Sequence, residues 1–335
     1  MSRVLHILKA SPGVTVQDLG RPGYLTYGVS QGGAADPIAL AEGAALLGAT
    51  PGAAALEMAT LGGTFSASED LRIALTGAPM RATLDGTRLA WNASHWLPAG
   101  AELTIGTVET GVYGYLSVGG GLTPPPQLGS RSAHLAAGIG RAVTHGDALP
   151  VGPDTGTEVR RTLPPLARFG GGTIRVVPSL QTALFPQPER TRFESTPFQR
   201  DPRANRMGAR LAFEGAGFAP AEGRSILSEV VVPGDIQITG DGTPFVLMRE
   251  CQTVGGYPRI GSVLPSDLAR VAQAEPGATL RFQFLSLQEA AAIEAQAANA
   301  LRALPSQVTA LYRDPRHMSD LLSYQLVSGV VSALP

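Results

Sequence analysis

The chain has almost no cysteine and almost no lysine: Cys251 and Lys9 are each the single residue of their kind in 335. One cysteine cannot close an internal disulfide, and without a CxxC or Cys/His cluster there is no structural zinc pattern. That usage suits a reducing cytoplasm. A phosphate-binding P-loop needs lysine beside its second glycine, and none stands there. A Schiff-base mechanism would have to use Lys9, at the very start of the chain. Charged residues amount to only 16% and the formal net charge is −1, so the basic footprint of a nucleic-acid binder is missing. No run approaches the roughly 20 apolar residues of a membrane span. The short apolar stretch near the N-terminus, broken by His6, falls short of a signal-peptide core.

What the chain does have is turn formers. Its 41 Gly and 27 Pro, with 44% hydrophobic residues, describe many short strands joined by turns rather than a helix bundle. At 335 residues the chain exceeds one ordinary core, so two β-rich lobes are expected. Alternating or β-branched runs predict strands at Val4–Leu8, Tyr24–Val29, Leu71–Thr76, Met80–Leu84, Glu102–Ile105, Val112–Val118, Ile174–Val177, Phe245–Met248 and Thr279–Leu285. Asp85-Gly86 and Asp241-Gly242 mark hairpins. Asp36 followed by Pro37 reads as a cap and first-turn proline opening a helix to about Leu47. Ser266 is expected to cap a helix over Asp267–Gln273, and Ser286 with Glu289 forms a capping box ahead of an alanine-rich helix to about Leu304. The aperiodic, Pro/Gly/Arg-rich segment 152–172 suggests the boundary between a lobe over 1–160 and one over 170–285, with a helical tail over 286–335. Met318–Val331 is partly apolar at helical spacing and is expected to dock on the body.

Two polar, glycine-punctuated segments, 15–36 and 249–259, are the expected walls of one cleft. In the first, Gln17, Asp18, Gly20, Arg21 and Gly23 combine an acid, a fixed cation and glycines that let a ligand approach the backbone. A plain turn with an Asp–Arg pair accounts for the same residues. Gly28-Val29-Ser30-Gln31-Gly32 matches the G-x-S-x-G pattern of a nucleophilic serine. The helix signal, however, comes only at Asp36, after Gly32-Gly33-Ala34-Ala35, where an elbow would start it directly after the serine. Asp36 is commonest as a cap, and the free N–H groups behind Gly32 and Gly33 could also take an anion. In the second segment Glu250, Gln252, Gly255, Gly256 and Tyr257 follow a predicted strand and offer donors, close backbone approach and a stacking ring; a bulge and turn is the plain alternative. Cys251 has no His nearby in sequence, so an unreactive thiol is expected. Arg131 and Arg206, each beside a Gly turn, are candidate anion ligands, with a solvated arginine as the default. His6, His95, His134, His145 and His317 show no metal-ligand spacing.

Taken together, TVQDLGRPGY, GVSQGGAADPIAL, LLGATPGAAALEMATLGG, LGSRSAHLAAGIGRAVTHGD, RMGARL, VVPGDIQITGDGTPFVLM and CQTVGGYPRIGSV resemble the 5-oxoprolinase C-subunit family, also labelled biotin-dependent carboxyltransferase-like or allophanate hydrolase subunit 2. The resemblance runs from about residue 4 to 290. It implies a mainly β protein with a cyclophilin-like β-barrel, forming its site together with the smaller B subunit of 5-oxoprolinase; a third chain, the A subunit, completes the enzyme. It also implies ATP-dependent opening of the lactam of 5-oxo-L-proline to L-glutamate through phosphorylation of the amide oxygen. Catalytic roles then fall to Asp18, Arg21, Asp36, Glu250 and Gln252, and binding roles to Gln17, Gly32, Gly33, Arg131, Arg206, Gly255, Gly256 and Tyr257. Mg²⁺ accompanying ATP would be held by Asp18, Asp36 or Glu250. Related members form the carboxyltransferase portion of urea carboxylase, which would call for biotin in trans, and another is described as antagonist of a sporulation-kinase inhibitor. One departure stands out: the family usually has Asp-Arg where this chain has Glu250-Cys251, which lengthens the acid and removes a cation. With no biotinyl-lysine motif and no ATP-grasp segment, the chain is not a whole urea carboxylase.

Overall fold

In the computed structural model, which describes residues 3–221 and 226–312, two sheets face each other and a closed barrel follows them. The first sheet runs in the order 148–150, 4–10, 61–67, 103–108, 80–84, 87–88, and the second in the order 15–17, 55–59, 113–118, 71–77, 93–97, 161–162, 309–310. Their inner faces share one apolar core, with Leu5, Ile7, Phe65 and Ile105 from one sheet against Leu56, Met58, Ile73 and Leu116 from the other. The central strands of the second sheet, 71–77 and 113–118, are buried along their whole length because a helix covers their outer face. That helix, α1 (Pro37–Leu47), begins and ends where its cap, first-turn proline and closing Gly48 dictate.

The barrel closes seven strands in the order 172–177, 259–263, 235–238, 244–247, 208–212, 198–200, 279–284, the last pairing in parallel with the first. Its interior is aromatic. Phe193, carried in by α2 (Gln187–Ser195), is fully buried with rings of Phe198, Phe218 and Phe282 at 5.0 to 5.4 Å between centroids. A third helix, α3 (Pro265–Gln273), packs between barrel and sandwich, and α4 (Leu287–Gln307) returns along α1 through Leu46, Leu47, Leu301 and Leu304.

The mainly β architecture and its closed barrel are as expected, and the capping box of Ser286 and Glu289 is formed. Two local expectations need correction. Tyr24–Val29 is not a strand: Leu25–Tyr27 forms a 3₁₀ turn closed by Gly28 at φ +79°, because alternation alone cannot supply the neighbouring strand that a ladder needs. Ser266 caps nothing, since α3 starts at Pro265 and the Ser266 hydroxyl is buried without a partner among the described residues. The apolar stretch Met318–Val331 lies outside the described residues.

Candidate functional site at the junction of sandwich and barrel

Two closed ion networks join sandwich to barrel. In the first, one oxygen of Asp36 caps α1 at Ile38 and Ala39, while the other accepts from Arg168 Nε at 2.5 Å and from Gln273 Nε2 at 2.8 Å. Arg168 also forks onto Glu42, at 2.9 and 2.7 Å, and Gln273 Oε1 accepts from the Val112 and Tyr113 amides. Burial pushes the Glu42 carboxyl above its ordinary value; Arg168 opposes this and Asp36 adds to it. Every oxygen of Asp36 is thereby engaged in holding α1, the sandwich and α3 together. The residue is a structural clasp, not a cleft wall.

The second network surrounds Arg206. Its guanidinium donates to Glu57 Oε1 at 2.5 Å, to Glu250 Oε1 at 2.6 Å and to the Gly33 carbonyl at 2.6 Å. Glu57 Oε2 accepts from Tyr115 Oη at 2.6 Å and from the Ala35 amide at 2.7 Å, and Tyr115 Oη in turn accepts from the Asp36 amide. Burial and the adjoining Glu57 push the Tyr115 phenol well above its ordinary value, so it stays a donor. Glu250 Oε2 accepts from the Ala136 amide at 3.1 Å. The guanidinium itself is driven toward permanent protonation by the two carboxylates against the cost of its burial.

Asp18 organises the neighbouring loops. It accepts from Ser130 and Ser132 hydroxyls at 2.6 and 2.5 Å and from the Gly20 and Arg131 amides at 2.8 and 2.7 Å. Burial raises its carboxyl, but these four donors outweigh that and hold it below the ordinary range. Gln17 is buried and ties Thr15 to the Ala133 carbonyl. The loops stack backbone to backbone, with Arg21 N donating to Gln31 O and Ala34 N to Asp18 O. Only glycine fits there: a side chain on Gly33, at φ +84°, would meet Gly20 N at 2.7 Å. Arg21, 1% exposed, donates to the Ser132 carbonyl and leaves two buried nitrogens without a partner among the described residues.

The two polar segments do meet, through Gly32 N and the Arg249 carbonyl at 3.0 Å. The expected single cleft is nonetheless divided. Arg249 borders a cavity of about 350 Å³ with Arg21, Tyr24 and Leu268 and also a gap of about 10 Å³ with Arg206, Arg200 and Tyr113, whereas Glu250 borders one of about 450 Å³ with Arg206, Arg200 and Tyr113. Gln252 and Tyr257 line a separate groove of about 450 Å³ on the outer barrel surface with Phe245 and Arg210, and Gln252 donates to Gln237 there. Gly255 lies so close to Gln237 that a side chain would displace it, and Gly256 backs onto Ser228. Arg131 joins the Asp18 cluster only by its amide; its side chain borders another cavity, of about 260 Å³, with Gln127 and Arg141.

Sequence reading missed Glu57, Arg168 and Gln273, and gave no role to Arg249, at the head of segment 249–259, or to His134. Glu57 had a signal, an acid inside the otherwise apolar strand Ala55–Ala59. His134 Nε2 lies 2.8 Å from Ser30 Oγ, and its Nδ1 accepts from the Ala137 amide at 3.2 Å, which places the ring proton on Nε2. Burial lowers this imidazole's proton affinity, Glu250 opposes that, and Arg21 and Arg206 reinforce it. Cys251 is buried, and burial beside Asp235 pushes its thiol up to about 12, which disfavours the thiolate.

The carboxyltransferase domain model, subdomain A and B, matches residues 27–284, so sandwich, junction and barrel together define a carboxyltransferase-type domain. The chain is 36% identical to the 5-oxoprolinase C subunit of Escherichia coli (strain K12), and 32% to that of Haemophilus influenzae, over 86% of this chain and 93% of each relative. Within that class, the chain belongs to the 5-oxoprolinase C-subunit family. Among solved structures, TTHA0988 superposes with a TM-score of 0.76 at 31% identity, over 84% of this chain and 55% of that one, so this chain spans little more than half of its length. The Kluyveromyces lactis urea carboxylase shares the fold, with a TM-score of 0.78 at 24% identity over 93% of this chain and 31% of that chain.

Proposed function

We propose that this chain is the C subunit of an ATP-dependent 5-oxoprolinase, completed by the B and A subunits, which opens the lactam of 5-oxo-L-proline to L-glutamate. The observation that carries the reading is 36% identity spanning 93% of a 5-oxoprolinase C subunit. An amide carbon is a poor electrophile. Transfer of the γ-phosphoryl group of ATP to the lactam oxygen releases ADP and activates the carbon; water adds to that carbon, the C–N bond breaks as the nitrogen takes a proton, and a second water releases inorganic phosphate from the resulting acyl phosphate to leave L-glutamate. Positive charge is needed near the phosphorylated oxygen. Arg206 is already neutralised by Glu57 and Glu250, so the arginines left at the junction to meet the anionic groups of the reaction, phosphoryl or carboxylate, are Arg21, Arg200 and Arg249, each with a buried nitrogen lacking a partner among the described residues.

The donor set does not fit a magnesium ion on this chain. Asp18 and Asp36 each take four donors, both oxygens of Glu250 are engaged by Arg206 and the Ala136 amide, and the described residues contain no group of three acidic, His or Cys ligands. No step is therefore assigned through a metal held here. Among the described residues no helix is long and apolar enough to cross a membrane, and a cytoplasmic site of action suits the lone buried thiol.

The test is reconstitution with the A and B subunits. ATP-coupled glutamate release that needs all three chains and survives avidin supports the reading. Turnover that appears only with a biotinylated partner and with urea as substrate would replace it with a carboxyltransferase role.

A further inference from the structure

The cavity beside Arg249 has a chemistry that neither ion network uses. It measures about 350 Å³, at the small end of the range for ligand sites. Its apolar walls come from Tyr24, Leu25 and Val29 on one side and Val232, Pro233 and Leu268 on the other, and no acidic residue borders it. Two arginines do. Arg21 leaves Nε and Nη1 buried and unpartnered, and Arg249 leaves Nε so; the Arg249 guanidinium has no hydrogen-bond or ion-pair partner among the described residues. Arg168 and Arg206, by contrast, are each closed by two carboxylates, whereas Arg200 also leaves its Nε buried and unpartnered among the described residues. Unpaired buried donors are costly, and charged ones most of all. Burial lowers the proton affinity of both Arg21 and Arg249; Asp18 and Glu250 partly offset this at Arg21, and Tyr115, Asp36 and Glu57 do so at Arg249, where Arg206 adds to the lowering. An anion in the cavity would offset both charges at short range.

We propose that this cavity is a carboxylate site that seats a compact ring bearing one carboxylate, with the carboxylate held by Arg21 and Arg249 and the methylene edge of the ring against Tyr24, Leu25, Val29 and Leu268. A guanidinium fork matches a carboxylate in two parallel hydrogen bonds, and the apolar walls suit the ring's two methylene groups. The inference rests on the 5-oxoprolinase reading for its ligand and assigns to this cavity the carboxylate of 5-oxo-L-proline. A phosphate group offers the same charge, so the test separates the two.

The wild-type chain is titrated calorimetrically with 5-oxo-L-proline, with 2-pyrrolidinone, which is the same ring without the carboxylate, and with inorganic phosphate. The expected result is binding of 5-oxo-L-proline, at least tenfold weaker binding of 2-pyrrolidinone, and no displacement by phosphate at matched concentration. Arg249→Met should weaken 5-oxo-L-proline by about 10- to 100-fold, and Arg249→Lys by less; normal melting of these variants shows that the fold is intact. Equal binding of the two lactams, displacement by phosphate, or unchanged affinity in Arg249→Met would overturn the site. In the assembled three-chain enzyme, an unchanged KM in Arg249→Met with glutamate still released sinks the site and leaves the function standing. If wild-type enzyme releases no glutamate, yet the chain binds L-proline in an Arg249-dependent way, the site survives and the functional reading falls.

Discussion

Arg206 and Glu57 stand 149 residues apart in the chain and 2.5 Å apart in the fold, and the second oxygen of Glu57 collects Tyr115 Oη and the Ala35 amide. Glu57→Ala therefore leaves three buried donors unsatisfied at once. A buried pair broken from one side costs about 3–5 kcal/mol, and this is the expected loss in urea unfolding. Glu250→Ala should cost less, because Arg206 keeps Glu57 and the Gly33 carbonyl. Equal losses for the two variants would show that Glu57 is not the keystone.

Elements defined by local chemistry were legible in the sequence. Asp36-Pro37 and Ser286 with Glu289 fix helix starts by bonds to nearby amides, and Asp85-Gly86 turns a hairpin with both residues at positive φ. Tyr24–Val29 failed because a strand is made by its neighbour. The site was half legible for the same reason. Asp18 and Glu250 announce themselves as polar residues among glycines, but Arg168 and Gln273 reach Asp36 across 132 and 237 residues, and nothing in their own surroundings marks them. The division of segment 249–259 between two cavities and an outer groove depends on which way consecutive side chains leave a turn, and residue type does not reveal that.

Arg168→Met strands Asp36 and Glu42 as unpaired buried carboxylates, at an expected cost of about 3–5 kcal/mol near neutral pH. The pH dependence carries the sign. Burial and Asp36 already raise the Glu42 carboxyl in the folded state, and removing the opposing Arg168 raises it further. A raised native value means that the folded state binds the extra proton, so stability is lost as pH rises through the window above the unfolded value and regained as pH falls. The gap between wild type and variant should narrow from neutral to mildly acidic pH, followed by denaturant midpoints; a gap that widens on acidification would rule out Glu42 as its source.

Gly33→Ala combines a left-handed backbone at φ +84° with a new methyl 2.7 Å from Gly20 N. The conformation alone costs about 1–2 kcal/mol, and the backbone overlap adds to it, so the variant should lose more than about 2 kcal/mol. Gly28→Ala, at φ +79° with open space around it, serves as the control and should lose only the conformational part. A similar loss in both variants would mean that the loops around Gly20 and Gly33 separate easily.

Ser30 and His134 sit 2.8 Å apart and resemble a nucleophile with its base, yet the proton runs the wrong way. The Ala137 amide occupies Nδ1, so Nε2 carries the hydrogen and gives it to Ser30 Oγ rather than taking one. Glu250, 3.8 Å from Nδ1, lies beyond hydrogen-bond reach and does not turn the ring's polarity. Both Ser30 and His134 are 2% exposed. A fluorophosphonate that labels activated serines should leave Ser30 unmodified, and Ser30→Ala should keep ATP-coupled turnover within about threefold, well short of the roughly 10⁶-fold loss typical of a missing nucleophile. Mass-spectrometric detection of the phosphonyl adduct on Ser30 would reverse this assignment and make the pair catalytic.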